Sequence, residues 1–298
     1  MASTPNNADR DSAKVSGALT RHQRTWAALR GVEGDDADLT SDLDSNLFCP
    51  LSQRTRAELG AWHPSLLGDG EKPGEMSLLH STAALVHNVF DYWRGRVATP
   101  IAYACGAAAD AAHGPDAEAL ELHFGAQGGS ASSTPADVVL QSGSRPTVVA
   151  ASFLEPYATV DNQLDNKLDE ALDSSDSADW SGLQACRNLA LDLRSNKHRF
   201  QHLAVARLLR LGQTWTREAG VRGFQLQYLW YDSGGPAAAR IRAEIDRFRM
   251  RVGGELHFVA RSWQQFFRDL QRGQGPGSDA GDHTTYLQYL STRYFPMD

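Results

Sequence analysis

Apolar and polar positions along the chain change their period several times. From Ser77 to Trp93, apolar residues fall at Leu78, Leu85, Val89 and Trp93, with Thr82, Val86 and Phe90 filling the stripe. That spacing predicts an amphipathic helix. Three strand-like runs follow. Ala119 to Phe124 alternates Leu120, Leu122 and Phe124 with Glu121 and His123, Asp137 to Leu140 is short and apolar, and Thr147 to Phe153 is longer and β-branched at its start. Turn residues between them, Gly125 to Pro135 and Ser142 to Pro146, predict a meander. After an acidic connector, Asp161 to Asp179, helical periodicity resumes from Leu183 to Leu211 with a break near Ser195. Phe224 to Tyr231 carries apolar groups on both faces and predicts a strand at the sheet centre. Ile241, Ile245, Phe248 and Val252 mark another helix, Glu255 to Val259 a short strand, and Trp263 to Leu270 a further helix. The aromatic-rich run Tyr286 to Tyr294 is expected to pack back on the body.

The first 45 residues or so lack such a pattern and are rich in Ser, Asp, Asn and Ala. Only Thr25 to Leu29 hints at a short helix around Trp26. Residues 1–46 are therefore expected to form a flexible or loosely docked polar extension, and residues 47–298 the folded domain.

Composition narrows the class. A chain of 298 residues with 41% hydrophobic content can bury a sizeable core. Three cysteines far apart, Cys49, Cys105 and Cys186, suggest neither a disulfide framework nor a paired-cysteine zinc site. The amino terminus has no apolar core of the secretory kind, and the alanine-rich run Ile101 to Ala112 is too short to span a bilayer. The expectation is a soluble cytoplasmic protein with no membrane partner. A net charge of −7 argues against nonspecific coating of nucleic acid, which needs many phosphate contacts, but leaves room for a local basic face.

Candidate chemistry lies around the meander. Asp137 opens the second strand, Glu155 follows the third, and Glu121 sits on the polar side of the first. Carboxylates so placed can surround a hard divalent cation. Each also has a bland reading: Asp137 as a polar strand start, Glu121 as a solvated group, Glu155 as a turn-bonding residue. The stretch Arg194 to Arg210 concentrates Arg194, Lys197, Arg199, Arg207 and Arg210 with His198 and His202. Read as helix, it puts Arg199, His202 and Arg210 on one face, either simply solvated or touching phosphate.

The order helix, three strands, helix, strand is the αβββαβ core of restriction-endonuclease-like folds. The chain resembles the PD-(D/E)XK nuclease superfamily, and most closely a bacterial branch of restriction-endonuclease-like proteins. The resemblance is carried by His80, Ser81, Asn88 and Phe90, then Glu121, Asp137 and Phe153 to Tyr157, then Gln201-His202, Leu229 to Asp232 and Arg293 to Phe295. It covers roughly residues 47 to 296. The resemblance implies an α/β fold with a mixed sheet flanked by helices, DNA as partner, a possible homodimer, and Mg²⁺ or Mn²⁺ held by Asp137 and Glu121. It implies a catalytic set of Asp137, Glu121, Glu155 and Ser152, with Lys197, Arg199, His202 and Arg210 on nucleic acid and His80, Ser81 and Asn88 as scaffold.

The pattern departs from the family where it matters most. The family's second acid falls at Ala150 and its lysine at Ser152. Losing one preorganised electrostatic group commonly costs about 10² to 10³ in rate, and here two are missing. Either the chemistry has been lost, in nature or by engineering, or Glu121, Glu155, Lys167 or Lys197 supplies what is missing. The alternatives are a nuclease and a catalytically inactive nucleic-acid-binding or protein-interaction module, with the acidic connector as one possible contact.

Overall fold

The computed structural model describes residues 7–35, 38–69, 72–96, 99–106, 121–126, 134–141, 145–158, 164, 166–173, 180–197, 199–273 and 280–296. Five strands form one sheet in the order β1-β2-β3-β4-β5. They are β1 (Glu121–Phe124), β2 (Val138–Gln141), β3 (Thr147–Ala151), β4 (Gln225–Trp230) and β5 (Phe258–Ser262). The first three pair antiparallel as a meander, while β3–β4 and β4–β5 are parallel. Parallel neighbours need crossovers, and helices supply them. The result is an α/β fold with a five-stranded mixed sheet flanked by helices. Strands β3 and β4 are buried at every position, as apolar residues on both faces require.

Eleven helices are described. They are α1 (Asn7–Arg30), α2 (Gln53–Trp62), α3 (Pro64–Leu67), α4 (Thr82–Phe90), α5 (Thr99–Ala104), α6 (Asn166–Asp173), α7 (Gln184–Arg194), α8 (Val205–Ala219), α9 (Gly235–Val252), α10 (Trp263–Arg272) and α11 (Ala280–Arg293). No helix among the described residues is long and apolar enough to cross a membrane.

Several elements differ from the pattern reading. The amphipathic helix starts at Thr82 rather than near Ser77, because the Ser81 hydroxyl accepts the Ala84 N–H and caps it there. Strand β5 lies three residues later than expected, after a turn in which Glu255 N–H reaches Val252 O. Ala119 and Leu120 of the first expected strand lie outside the described residues.

The larger difference is at the amino terminus. The stretch expected to be a loose extension forms a 24-residue helix, α1, docked on the domain. Gln23 Nε2 donates to Arg293 O at 2.7 Å, and Trp26 lies edge-on to Tyr289 with ring centroids 5.6 Å apart. The buried or partly buried apolar contacts of α1, Val15, Leu19, Trp26 and Ala27, are few on a mostly polar helix, so an apolar periodicity search passes over it.

Candidate functional site

Strand β3 runs through the middle of the sheet, and what surrounds its carboxy-terminal end forms the site. One step beyond the Val138–Val149 pair, Asp137 stands across from Ala150. Its Oδ2 accepts the Ala151 N–H at 2.7 Å. After Ser152 the chain turns through a 3₁₀ segment, Glu155–Tyr157, and the Glu155 carboxylate folds back to accept the Phe153 N–H at 2.7 Å. The Thr82 hydroxyl, in the first turn of α4, donates to Glu155 at 2.6 Å and accepts from Phe153 N–H at 3.0 Å. Asp137 and Glu155 thus engage alternate amides at one strand end, separated by about two residue rises, or ~7 Å.

The cation between them is a side chain. Arg207, in the first turn of α8, donates through Nη2 to Asp137 Oδ2 at 2.8 Å and through Nη1 to Ala151 O at 3.4 Å. Burial works against its charge, but Asp137, with Glu155 adding, more than offsets this and raises its pKa further. A guanidinium therefore occupies the position where a divalent ion would meet the Asp137 carboxylate and the Ala151 carbonyl. Tyr228, the register partner of Ala150 on β4, lies beside Ser152, and burial pushes its phenol well up. Ala150 and Ser152 are both buried.

These groups face a cavity of about 830 Å³. Its walls include Ser16 of α1, Leu59 and His63 around α2, the start of α4, and the Pro135–Asp137 approach to β2. Glu75, Asp137 and Glu155 supply three carboxylates against the one guanidinium of Arg207. His87 also lines it and is only 4% exposed, stacked on Phe124 with centroids 4.3 Å apart. Its Nδ1 lies 2.9 Å from Ala83 O and so must carry the proton. Nε2 is then an acceptor, buried without a hydrogen-bond partner. Burial lowers the pKa of this ring, outweighing Ala83, Asp91 and Asp137, and keeps it neutral.

The structure brings some of the expected residues together and not others. Asp137 and Glu155 share the cavity, whereas Glu121 does not. Glu121 pairs with Gln141, four residues past Asp137, which is about 13 Å along the strand. Its side chain is 63% exposed and lies 3.3 Å from His123. The expected Asp137–Glu121 cation site is therefore corrected: the two carboxylates point to different ends of the meander. Among the described residues, no group of three or more His, Cys, Asp and Glu is arranged to hold a metal ion. Ser152 is buried; its N–H donates to Leu229 O and its carbonyl accepts the Trp263 indole N–H, so its backbone ties β3 to β4 and α10.

The expected basic helix face also dissolves. Asn196, at φ 55°, follows the end of α7, and residues 195–197 and 199–204 are a connector instead. The buried Glu244 carboxylate accepts the N–H groups of Gln201, His202 and Leu203, which fixes that connector. His202 Nδ1 meets Pro156 O at 2.9 Å, while Lys197 and Arg199 are exposed on the loop. Arg210 is in α8, so Arg199, His202 and Arg210 share no helix. His198 and the Lys167 side chain lie outside the described residues. Arg207 belongs to the same charge run, but its partner, Asp137, is 70 residues away.

Asn88 and Tyr157 are scaffold. Asn88 accepts the Phe48 N–H and donates to Asn46 O and the Tyr294 hydroxyl. The Tyr157 hydroxyl donates to Tyr231 O and accepts the Ser233 N–H, which joins the ends of β3 and β4. Burial raises the Cys105 and Cys186 thiols far above neutrality, so neither is a nucleophile at pH 7. The chain matches no family model, no curated protein and no solved structure.

Proposed function

We propose that this chain is a non-cleaving protein on a nuclease-type α/β scaffold, one that binds a ligand in the cavity at the end of β3. The observation that carries this reading is the pairing of Arg207 with Asp137 and the Ala151 carbonyl. A water nucleophile needs a cation that lowers its pKa and holds it in line, and a guanidinium does neither. Support for the scaffold comes from the element order and from Asp137 standing across from Ala150, the position of the second acid in the PD-(D/E)XK pattern.

Cavity chemistry indicates the ligand class. Glu75 has no partner among the described residues, the His87 Nε2 lone pair is unused, and Arg207 is already engaged. Three carboxylates against one guanidinium in the lining favour an amine, guanidinium or amino group over a phosphate. The net charge of −7 and the pairing of Arg194, Arg240, Arg242, Arg249 and Arg251 with carboxylates weigh against a duplex-binding face.

A Mg²⁺- or Mn²⁺-dependent nuclease is the second reading. One observation favours it: Asp137 and Glu155 both reach the strand end, so a metal displacing Arg207 would meet two carboxylates. Supercoiled plasmid incubated with the protein and either metal is expected to stay intact. Nicking that disappears in Asp137→Ala would establish the nuclease instead. Agmatine, which joins an ammonium to a guanidinium, is expected to raise the melting temperature where inorganic phosphate does not; the reverse ranking would remove the ligand class.

A further inference from the structure

The three parallel strands begin beside a group of basic residues. Arg145 stands two residues before β3, Arg222 three before β4 and His257 one before β5, so all three lie along one end of the sheet. That end is the opposite one from the cavity, about 20 Å away along β3. Elsewhere positive charge is balanced in pairs: Arg94, Arg194, Arg207, Arg251 and Arg261 each meet a carboxylate at 2.5–2.8 Å. Arg145 and Arg222 have no carboxylate partner among the described residues. Arg145 donates through Nη2 to His257 Nδ1 at 2.6 Å and to Phe224 O, and Arg222 donates through Nη1 to Gly254 O. Glu255, two residues before His257, is engaged elsewhere, accepting the Ala185 and Cys186 N–H groups.

What the cluster has left to offer is donors. Nε and Nη1 of Arg145 and Nε and Nη2 of Arg222 meet no acceptor among the described residues. Because His257 Nδ1 accepts from Arg145, the imidazole carries its proton on Nε2, a further donor with no partner there. Burial first, then Arg145 and Arg222, lower the pKa of this ring and keep it neutral. Two guanidinium groups gathered without an acid repel each other, and a bound anion would remove that cost. Arg222 also sits at φ 58° in the turn Gly220 to Gly223, a backbone that glycine adopts more readily. We propose that Arg145, Arg222 and His257 form a binding site for a diphosphate group. Forked donors from two strand ends and an imidazole N–H from a third suit the oxygens of linked tetrahedral phosphoryl groups better than one flat carboxylate. This site does not rest on the binding reading of the cavity.

Calorimetric titration of the full chain with metal-free sodium diphosphate at low salt tests the site. Saturable binding is expected, and Arg145→Met and Arg222→Met should each weaken it about tenfold or more. Both side chains are exposed, so the substitutions leave the fold intact. Arg249→Met removes an exposed arginine paired with Asp246 on α9 and is expected to change the affinity by no more than about twofold. Citrate, whose oxygens belong to flat carboxylates, and inorganic phosphate, with a single phosphoryl group, are each expected to bind at least about tenfold more weakly than diphosphate. Absence of saturable heat, equal affinity for citrate, or a loss on Arg249→Met as large as on Arg222→Met would overturn the proposal. The agmatine effect on the melting temperature is expected to survive Arg145→Met and Arg222→Met, so failure of this site and failure of the cavity reading stay distinct.

Discussion

Arg293 and Arg207 are both drawn out of bulk water, and they are satisfied in different ways. Arg293 is fully buried, and all its donors end on protein: Gln23 Oε1, Asn46 O and Oδ1, Leu79 O and the Tyr289 hydroxyl. No carboxylate is among them. Its charge rests on neutral acceptors and on the faces of Trp26 and Tyr294, 4.1 and 4.7 Å away. Arg207 makes only two such bonds, is balanced by carboxylates, and keeps a third of its side chain accessible. A cation with every donor committed to the fold is structural. One held by an ion pair and a single carbonyl at a cavity wall can be removed without unpicking the fold.

The sharpest break of this comparison is a pair of substitutions. Arg293→Met leaves several buried acceptors dry and is expected to cost about 3–5 kcal/mol in denaturant melts, loosening α1 as well. Arg207→Met is expected to cost about 1 kcal/mol, since Asp137 keeps the Ala151 N–H and is partly open to water. Equal losses would show that Arg207 is a structural arginine too.

An intermediate effect comes from pH. His87 has a folded pKa below its ordinary 6.5, so on acidification the unfolded chain takes up the proton first. Its contribution is complete above pH 6.5 and is lost as the pH falls below that value, at no more than about 1.4 kcal/mol per pH unit. Melts of His87→Phe against pH should lack this slope. The smallest effect belongs to the connector: Lys197→Ala and Arg199→Ala are expected to change stability by no more than about 0.5 kcal/mol, because both side chains are exposed.

The strands were legible because β-branched and aromatic runs can bury both faces only in a sheet centre, as Thr147–Ala151 and Gln225–Trp230 do. Asp137 and Glu155 were legible as acids flanking those strands. Helix α1 was not, because Gln23, Arg24 and a few apolar contacts hold it rather than a continuous stripe. The connector at residues 199–203 reads as helix in the sequence because its charges fall at helical spacing, while Glu244, some forty residues on, claims the backbone N–H groups a helix would use. Arg207 shows the same limit. Nothing in its local sequence reveals that it will pair with Asp137, 70 residues away.

Calorimetric titration with Mn²⁺ of the native chain beside Arg207→Met tests that pairing most directly. The native chain is expected to give no saturable heat, and Arg207→Met to gain one as Asp137 and the Ala151 carbonyl are released. Saturable Mn²⁺ binding by the native chain that Asp137→Ala removes would contradict the account.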